Sequence, residues 1–452
     1  MKKIFQYIML AVVTIVMASC TSDIEETTAT TGKNNVQLVV GEFPAFGDSQ
    51  TRAIGTPDAG KTSWAVGDEL LLEMTSKTLG TQYAAFKYNG SSWELASGEL
   101  SYKEDEVPTF PHVYYAPNYK WEAGTLVLKE GKVAGTDEYI EGKAEITGNG
   151  QGINVSFAEA TRNYSRLRIA TMPNKQITVT INYFTPAGSS NMAWSQYYAL
   201  TSDEKGNAYL YGTFVKNSQF TVKYGGAPLA TYKFTQETEN AKSYALDATV
   251  VSANSAEEIK SAIKQEVANS KTAIRLNLAS DAGDNEFNAI REAFKNVKSG
   301  TIDLTLIGCK EIPADGLKEL NALKSIFLPD VTKIGMNALF RCVYLEEICA
   351  PNVSTIDERA FAGFIMLEKV TLGELTDVRG EANSGGGIFD DDIWTPYIDL
   401  YLPKNQEVMK GEFDENSNQY IWKPTGEKYF ASPDYDNGIF LGYQFNSVKS
   451  WE

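Results

Sequence analysis

Apolar and polar residues alternate over short stretches from Val36 to about Val251, and residues typical of turns separate these stretches. The stretch 70–74 follows the turn Gly67-Asp68, and the stretch 83–88 ends at Asn89-Gly90, a strong hairpin signal. Further strands are predicted at 153–157, 166–170, 177–183, 208–214, 219–224 and 230–234. Strands at this spacing without intervening helices predict antiparallel β-sandwiches.

This β-rich part of the chain is long for one sandwich and sufficient for two. Within it, the glycine-rich segment 148–152 is the best candidate for a boundary between two domains, because glycines separated by polar residues favour a linker. We therefore predict a first sandwich over residues 36–150 and a second over residues 151–252.

The pattern changes after residue 253, where apolar residues begin to recur with helical spacing. Ser255 begins a capping-box sequence, and Ile259, Ile263 and Val267 follow on one helical face, which predicts a helix over 255–270. A second helix is predicted over 286–297. Between the two, alternating apolar residues predict a strand around 274–278.

A repeat follows these helices. Leu323, Leu345 and Leu367 are each separated by 22 positions, and the surrounding apolar residues recur in step with them. A period in the low twenties with alternating apolar strand positions is typical of leucine-rich repeats, whose units bury their edges by stacking into a solenoid. The period breaks over 379–396 and returns at 400–403.

Aromatic residues are dense after the last repeat, and we predict that they cap the open end of the solenoid. A separate binding patch is the alternative. The residues are Trp422, Tyr429, Phe430, Tyr435, Phe440, Tyr443, Phe445 and Trp451.

The repeat also predicts a binding surface. Successive side chains of a strand point to opposite faces, so the residue between two core aliphatics points outward in each unit. These outward residues are Thr305, Phe327, Cys349, Thr371 and Tyr401. We predict that a ligand docks on this ladder, with Phe327 and Tyr401 as apolar contacts and with Glu347 and Lys369 setting its orientation.

Two segments resemble known families. The repeat sequences "LPDVTKIGMNALFRCVYLEEI" and "APNVSTIDERAFAGFIMLEKV" closely resemble the BspA-type repeat of bacterial surface proteins. The N-terminal half resembles the fimbrillins of Bacteroidetes in Thr51-Arg52-Ala53, in Trp64 ahead of Gly67-Asp68, and in Tyr114-Tyr115-Ala116-Pro117. The segment from Val155 to Ile169 is similar to the strand pair that opens the second fimbrillin sandwich.

The fimbrillin resemblance implies paired transthyretin-like β-sandwiches. In pilin members, cleavage after an arginine near the first strand frees a groove for a strand of the neighbouring subunit. Arg52 is the matching residue here, and a loop arginine without such a role is the alternative. We favour an anchored accessory subunit or a free-standing lipoprotein, because the C-terminal repeat region departs from the two-domain pilin pattern.

The N-terminus has the pattern of an export signal. Lys2 and Lys3 precede the apolar stretch 4–17, and Met17-Ala18-Ser19-Cys20 stands at the expected cleavage point. Residues 1–19 thus resemble a bacterial lipoprotein signal peptide, which implies a lipid on Cys20; an ordinary secretory peptide is the alternative. The linker 20–35 begins with acidic residues that resemble a surface-export signal, or that form a solvated tether. We predict a lipid-anchored outer-membrane protein exposed on the cell surface.

The amino-acid composition limits which ligands and cofactors the chain is predicted to bind. The chain has 58 Asp and Glu against 41 Lys and Arg, a net charge of -17, and no basic block, so nucleic acid is not a predicted partner. His112 is the single histidine and is predicted to be packed or at the surface. The four cysteines have no zinc spacing, and we predict neither a metal nor a cofactor. Asp390 to Asp392 and the segment 434–438 are predicted to be solvated or turn-forming rather than cation-binding.

The prediction is therefore a multidomain chain, with all-β fimbrillin-like sandwiches followed by an α/β leucine-rich repeat solenoid over 253–452. No catalytic constellation stands out, so we expect a non-enzymatic adhesin or accessory fimbrial subunit. Its partners would be a host or bacterial surface protein or glycan, and fimbrial subunits. The alternative is a glycan-binding or glycan-hydrolysing lipoprotein of nutrient uptake.

Overall fold

A computed structural model of the chain describes residues 36–44, 46, 60–103, 106–146, 152–157, 162–390, 395–429, 434–436 and 438–451. These residues form several β-sheets with little helix, which confirms the prediction of a predominantly β chain. Cys20 and Arg52 lie outside the described residues, as do Asp391 and Asp392.

The first sheet has seven strands in the order β1-β9-β8-β5-β2-β3-β4, and a separate hairpin, β6-β7, packs beside it. The sheet curls until β1 lies near β4, so that side chains from both ends of the strand order, among them Phe86 and Val155, share one core. The strands are β1 Gln37–Val40, β2 Glu69–Ser76, β3 Gly80–Tyr88, β4 Trp93–Gly98, β5 Thr109–Tyr115, β6 Tyr119–Glu122, β7 Thr125–Leu128, β8 Ile140–Ile146 and β9 Gly152–Ser156.

Strand β9 belongs to this first sheet, whereas the sequence analysis assigned it to the second sandwich. It pairs antiparallel with β8 and parallel with β1, with Gln37 opposite Gly152. Ile153, Val155 and Phe157 are buried in the first core. The physical reason is strand pairing: β8 and β9 are consecutive in the chain and pair antiparallel in the first sheet, so the predicted boundary between residues 150 and 151 falls within the first sandwich. The first sandwich therefore ends after Phe157.

The second sandwich contains the order β15-β14-β11-β13-β10-β16, with β12 paired to β11. Strand β11 pairs with β14 before Tyr183 and with β13 after it. Tyr183 has a φ of 57°, and it and Trp194 are both left out of the β11-β12 register, so the pairing is interrupted where β11 changes its other neighbour. The strands are β10 Ser165–Ala170, β11 Gln176–Pro186, β12 Ala193–Thr201, β13 Asn207–Phe214, β14 Gln219–Tyr224, β15 Ala227–Lys233 and β16 Ser243–Asp247.

A buried ion pair lies between the two sandwiches. The Arg162 side chain is 0% exposed and donates to both carboxylate oxygens of Glu138, at 3.2 and 3.1 Å. It also donates to the Pro44 carbonyl, and its guanidinium carbon lies 4.1 Å from the centre of the Phe46 ring. The Tyr164 hydroxyl donates to the same carboxylate. One arginine thus links the segment around Pro44 to both sandwiches.

The C-terminal region stacks its strands into two ladders. One sheet has the order β17-β18-β19-β21-β23-β25-β27-β33-β30, parallel except for β30, and the other has the order β20-β22-β24-β26-β29-β28. Helix α1, Ala256–Ala268, begins at Ser255, whose side chain accepts the Glu258 N–H, and α2 spans Asp284–Phe294. A short 3-10 helix spans Thr395–Tyr397.

The strands of the larger ladder lie in the expected repeat register, in which Ser325 faces Glu347 and Glu347 faces Lys369. The strands of both ladders and of the separate hairpin β31-β32 are β17 Val251–Ser252, β18 Ala273–Asn277, β19 Ile302–Ile307, β20 Glu311–Ile312, β21 Leu323–Phe327, β22 Lys333–Ile334, β23 Glu347–Ala350, β24 Thr355–Ile356, β25 Lys369–Leu372, β26 Asp377–Arg379, β27 Asp399–Leu402, β28 Glu407–Asp414, β29 Gln419–Lys428, β30 Asp434–Asp436, β31 Ile439–Phe440, β32 Tyr443–Gln444 and β33 Ser447–Ser450.

The insertion after β26 is held by Asp390. Its carboxylate accepts the backbone N–H groups of Asn383, Gly385 and Gly387 at 2.7 to 2.9 Å and the Tyr443 hydroxyl at 2.7 Å. Phe440, Tyr443 and Phe445 are buried in the same core as the repeats. Asp390 therefore organises a loop by hydrogen bonds within the protein.

Replacing Asp390 with Asn should destabilise this region by about 1–3 kcal/mol at neutral pH, because the carboxylate accepts all these bonds. Burial opposes ionisation, but the hydrogen bonds outweigh it and hold the Asp390 pKa below its ordinary value. A lowered pKa contributes stability above the unfolded-state pKa, and that contribution is lost as pH falls through the folded-state pKa. Thermal unfolding against pH should therefore show the two proteins converging in acid. An equal difference at neutral and acidic pH would contradict this role.

Candidate functional site

The second sandwich and the larger repeat ladder enclose a cleft of about 920 Å³. One wall is the ladder from β18 to β27, and the opposite wall is the hairpin β14-β15. Phe327, Glu347, Lys369 and Tyr401, the ligand-binding residues predicted from the sequence, all line this cleft.

The ladder register positions these side chains. Thr305, Phe327, Cys349, Thr371 and Tyr401 stand opposite one another on successive strands. The spacing between β25 and β27 is longer than one repeat, yet Thr371 still pairs with Tyr401, so the insertion leaves the ladder intact. Five strands at a spacing of about 4.8 Å give a floor about 19 Å long.

A second row of ladder residues runs beside the row that contains Phe327 and Tyr401, and it makes polar contacts between strands. It includes Asp303, Ser325, Glu347 and Lys369. Ser325 donates to Asp303 at 2.5 Å, and Lys369 donates to Glu347 at 2.7 Å. Each bond joins neighbouring strands of the ladder. Because the acids and their partners are fixed by strand register, the cleft presents an ordered polar surface to a ligand.

Three of the five residues in this first row are closed to solvent. Thr305, Cys349 and Thr371 are only 3%, 5% and 8% exposed, although they do not belong to the core of the repeats. They point outward, as the alternation requires, but the second sandwich covers them. Phe327 and Tyr401 are half-buried. The physical reason is that a face turned away from one core is free to pack against another domain.

Direct contacts hold the sandwich over the ladder. Arg275 donates to the Leu229 carbonyl at 2.5 Å, and Asn352 donates to the Gly225 carbonyl at 3.3 Å. Ile307 of β19 is buried in the core of the second sandwich. A Cβ on Gly225 would lie 3.0 Å from Pro329, so the β14-β15 turn approaches the repeats as closely as a glycine allows.

The pair Lys369 and Glu347 forms the electrostatic centre of the cleft. Burial alone would lower the pKa of Lys369, but the hydrogen bond and the charge of Glu347 raise it above its ordinary value. The Lys369 ammonium also lies 5.5 Å from the centre of the Tyr401 ring, a distance typical of a cation–π contact. The lysine is therefore held in its charged form between an acid and an aromatic ring.

The cleft carries equal numbers of acidic and basic side chains. The acids are Asp247, Asp303, Glu346 and Glu347, and the bases are Lys223, Arg275, Lys324 and Lys369. A second ion pair joins Lys324 to Glu346 at 3.7 Å. This balance produces a polar cleft without a strong net charge.

Sequence reasoning missed the residues that close the cleft. Lys223 comes from the second sandwich and Arg275 from the strand ahead of the repeats, and Trp451 was predicted to cap the solenoid rather than to line this cleft. The Trp451 indole donates to the Leu372 carbonyl at 2.9 Å, which fixes the ring at that end. No local pattern joins these positions, because only the packing of separate domains brings them together.

The three described cysteines and the histidine show no arrangement typical of a catalytic or metal site. Burial raises the pKa of Cys309, Cys342 and Cys349 to about 12, so all three are protonated thiols at neutral pH. His112 is 46% exposed at its side chain, lies 3.1 Å from a Glu141 oxygen and stacks on Tyr114. Across the described ranges, no group of three or more His, Cys, Asp and Glu residues is placed to hold a metal ion.

Among the described residues, no helix has both the length and the apolar character needed to cross a bilayer.

No protein-family profile matches the chain, and no curated protein is significantly similar to it. Among solved structures, the chain is similar to a minor pilin of the gram-positive pathogen Streptococcus agalactiae, at 10% identity and a TM-score of 0.18, over 47% of this chain and 94% of that chain.

Proposed function

We propose that the protein is a surface-displayed, lipid-anchored binding protein, acting as an adhesin or an accessory fimbrial subunit. In this proposal the repeat region is a BspA-type leucine-rich repeat solenoid, and the sandwiches are fimbrillin-like. The ligand is a protein or glycan of a host or bacterial surface. The proposal includes no catalytic step and no cofactor.

One observation carries this proposal: Phe327, Glu347, Lys369 and Tyr401 line a single cleft between two domains. Aromatic side chains are enriched at interface centres, and polar and charged groups surround them at the rim. Clefts at domain boundaries are also preferred ligand sites. The even charge balance favours a ligand of small net charge over a strongly charged polymer.

The anchoring part of the proposal rests on the N-terminal sequence. A lipid on Cys20 would hold the folded domains at the outer membrane, and the acidic linker 20–35 would carry them to the outer surface. We further propose that Arg52 stays uncut in the surface form, so that the chain remains attached through Cys20. Recovery of a surface form beginning near Ala53 would favour processing as in pilin subunits instead.

The carboxylates in the cleft favour one alternative function, the binding or hydrolysis of a glycan. Asp303 and Glu347 both line it, and a pair of carboxylates is what glycoside hydrolysis requires. This alternative describes a glycan-binding or glycan-hydrolysing lipoprotein of nutrient uptake.

An array of surface glycans and extracellular-matrix proteins, probed with the soluble chain, tests the proposal. We expect stable binding to a defined ligand class that is lost in the variant Lys369→Glu, which sets two acids beside each other. The ligands that bind should then be incubated with the protein and analysed for products. Released saccharides would favour the hydrolytic alternative, and binding that is indifferent to Lys369→Glu would contradict the cleft as the site.

A further inference from the structure

Strand β12, Ala193–Thr201, is a long sheet edge. It pairs with β11 alone, whereas β11 continues to β14 and β13 on its other side. The opposite edge of the same sheet, β15, is covered by the repeat region, because Arg275 donates to its Leu229 carbonyl. Of these two edges, β12 is the one that the repeats leave uncovered.

The backbone of β12 has groups available for another strand. Antiparallel strands direct the N–H and C=O groups of every second residue toward the partner and the others away. The Ser202 N–H donates to the Lys175 carbonyl at 3.0 Å, which sets this alternation. The groups of Ser195, Tyr197 and Ala199 then point away from β11. Within the described part of the chain, no hydrogen bond joins these outward groups to another residue.

The sequence of β12 lacks the usual protection of an edge. Natural sheets place charges or proline on long exposed edges, which otherwise pair with other chains. Strand β28, at the edge of the smaller repeat ladder, follows this rule with Glu407, Lys410, Glu412 and Asp414. In contrast, no Asp, Glu, Lys, Arg or His occurs from Gln176 to Ser202, and β12 contains no proline.

Large aromatic side chains are exposed along this uncharged edge. Trp194 is 76% exposed and Tyr197 is 66% exposed. Tyr183 of β11 packs against Trp194, with ring centres 5.5 Å apart, and its φ of 57° is uncommon for a residue with a Cβ. Tyr183 and Trp194 are both left out of the β11-β12 register, and their rings form an aromatic pair beside the strand edge.

We propose that β12 pairs antiparallel with β12 of a second copy of this chain. A two-fold axis at Tyr197 sets this residue opposite its own copy and sets Ser195 opposite Ala199 of the second copy. In that register outward N–H groups meet outward C=O groups on both strands, and the interface is self-complementary. The chain carries a net charge of -17, so two copies repel one another over most of their surface. At the uncharged edge the two copies can approach without like charges facing each other.

Sedimentation analysis of the mature chain, residues 20–452 with Cys20→Ala so that neither the signal peptide nor a lipid is present, tests the proposal. The expected result is a reversible dimer whose population rises with protein concentration. Tyr197→Lys sets two like charges opposite each other and should weaken the dimer at least tenfold. Ser97→Lys, at an exposed position on β4, is the matched control and should leave the dimer unchanged.

Ser195→Pro provides a second, independent variant. It removes an N–H that points outward and leaves the bonds between β12 and β11 in place, so we expect a folded chain with a dimer weakened at least tenfold. A wild-type chain that stays monomeric at every concentration would overturn the proposal and leave the edge to a different protein or a glycan. A dimer that tolerates both Tyr197→Lys and Ser195→Pro would overturn it as well.

Discussion

Replacing Arg162 with Ala is expected to destabilise the contact between the sandwiches by about 3–5 kcal/mol, because it leaves the Glu138 carboxylate buried without its counter-charge. The side chains of Arg162 and Glu138 are 0% and 5% exposed. The same change removes the bond to the Pro44 carbonyl and the contact with Phe46. A multidomain chain need not unfold in one step, so the free energy should be taken from the first transition in urea.

Two further variants separate the charge effect from lost packing. In the double variant Arg162→Met with Glu138→Gln, neither member of the pair is charged, so we expect part of the lost stability to return. Lys120→Ala breaks an ion pair whose side chains are 48% and 63% exposed, and it should cost less than about 1 kcal/mol. A loss for Arg162→Ala as small as that of Lys120→Ala would show that this pair does not hold the sandwiches together.

Replacing Cys20 with Ala, in a chain whose residues 1–19 are exchanged for an ordinary secretory signal that is cleaved without lipidation, should move the protein from the membrane fraction to the soluble fraction. Each methylene buried in a bilayer contributes about 0.8 kcal/mol, and stable anchoring by lipid requires more than one acyl chain or a second signal. Without the cysteine sulfur the chain has no lipid attachment, and the acidic linker gives it no attraction to an anionic surface. Cell fractionation after washing with high salt measures the change.

Thr21→Ala is the matched control for the anchor, because it changes the next residue and keeps the cysteine. It should remain with the membranes. If the Cys20→Ala protein also stays in the membrane fraction, a different part of the chain holds it there and the proposed anchor is wrong.

Much of the architecture could be predicted because it depends on local periodicity. The 22-residue recurrence of Leu323, Leu345 and Leu367 determines which strands stack and which residues share a row. Alternation within a strand correctly turns Cys349 and Thr371 away from the repeat core. The hairpin signal at Asn89-Gly90 likewise joins β3 to β4.

The parts that could not be predicted depend on contacts between distant segments. Alternation indicates that Cys349 points outward, but it does not reveal that β14-β15 covers it. Val155 suits a strand of either sandwich, and only pairing with β1 and β8 assigns it to the first. Arg162 and Glu138 are ordinary charged residues in the sequence, and their burial follows from the packing of two domains.

The affinity of the strongest array ligand for the variant Phe327→Ala with Tyr401→Ala tests the cleft as the binding site most directly. Titration calorimetry should give a loss of about 2 kcal/mol or more, or roughly thirtyfold in affinity, with a nearly unchanged melting temperature. The double variant Tyr344→Ala with Ile365→Ala, at positions 45% and 72% exposed outside the cleft, should bind as the wild type does. Wild-type affinity in the folded Phe327 and Tyr401 variant would contradict the proposed site.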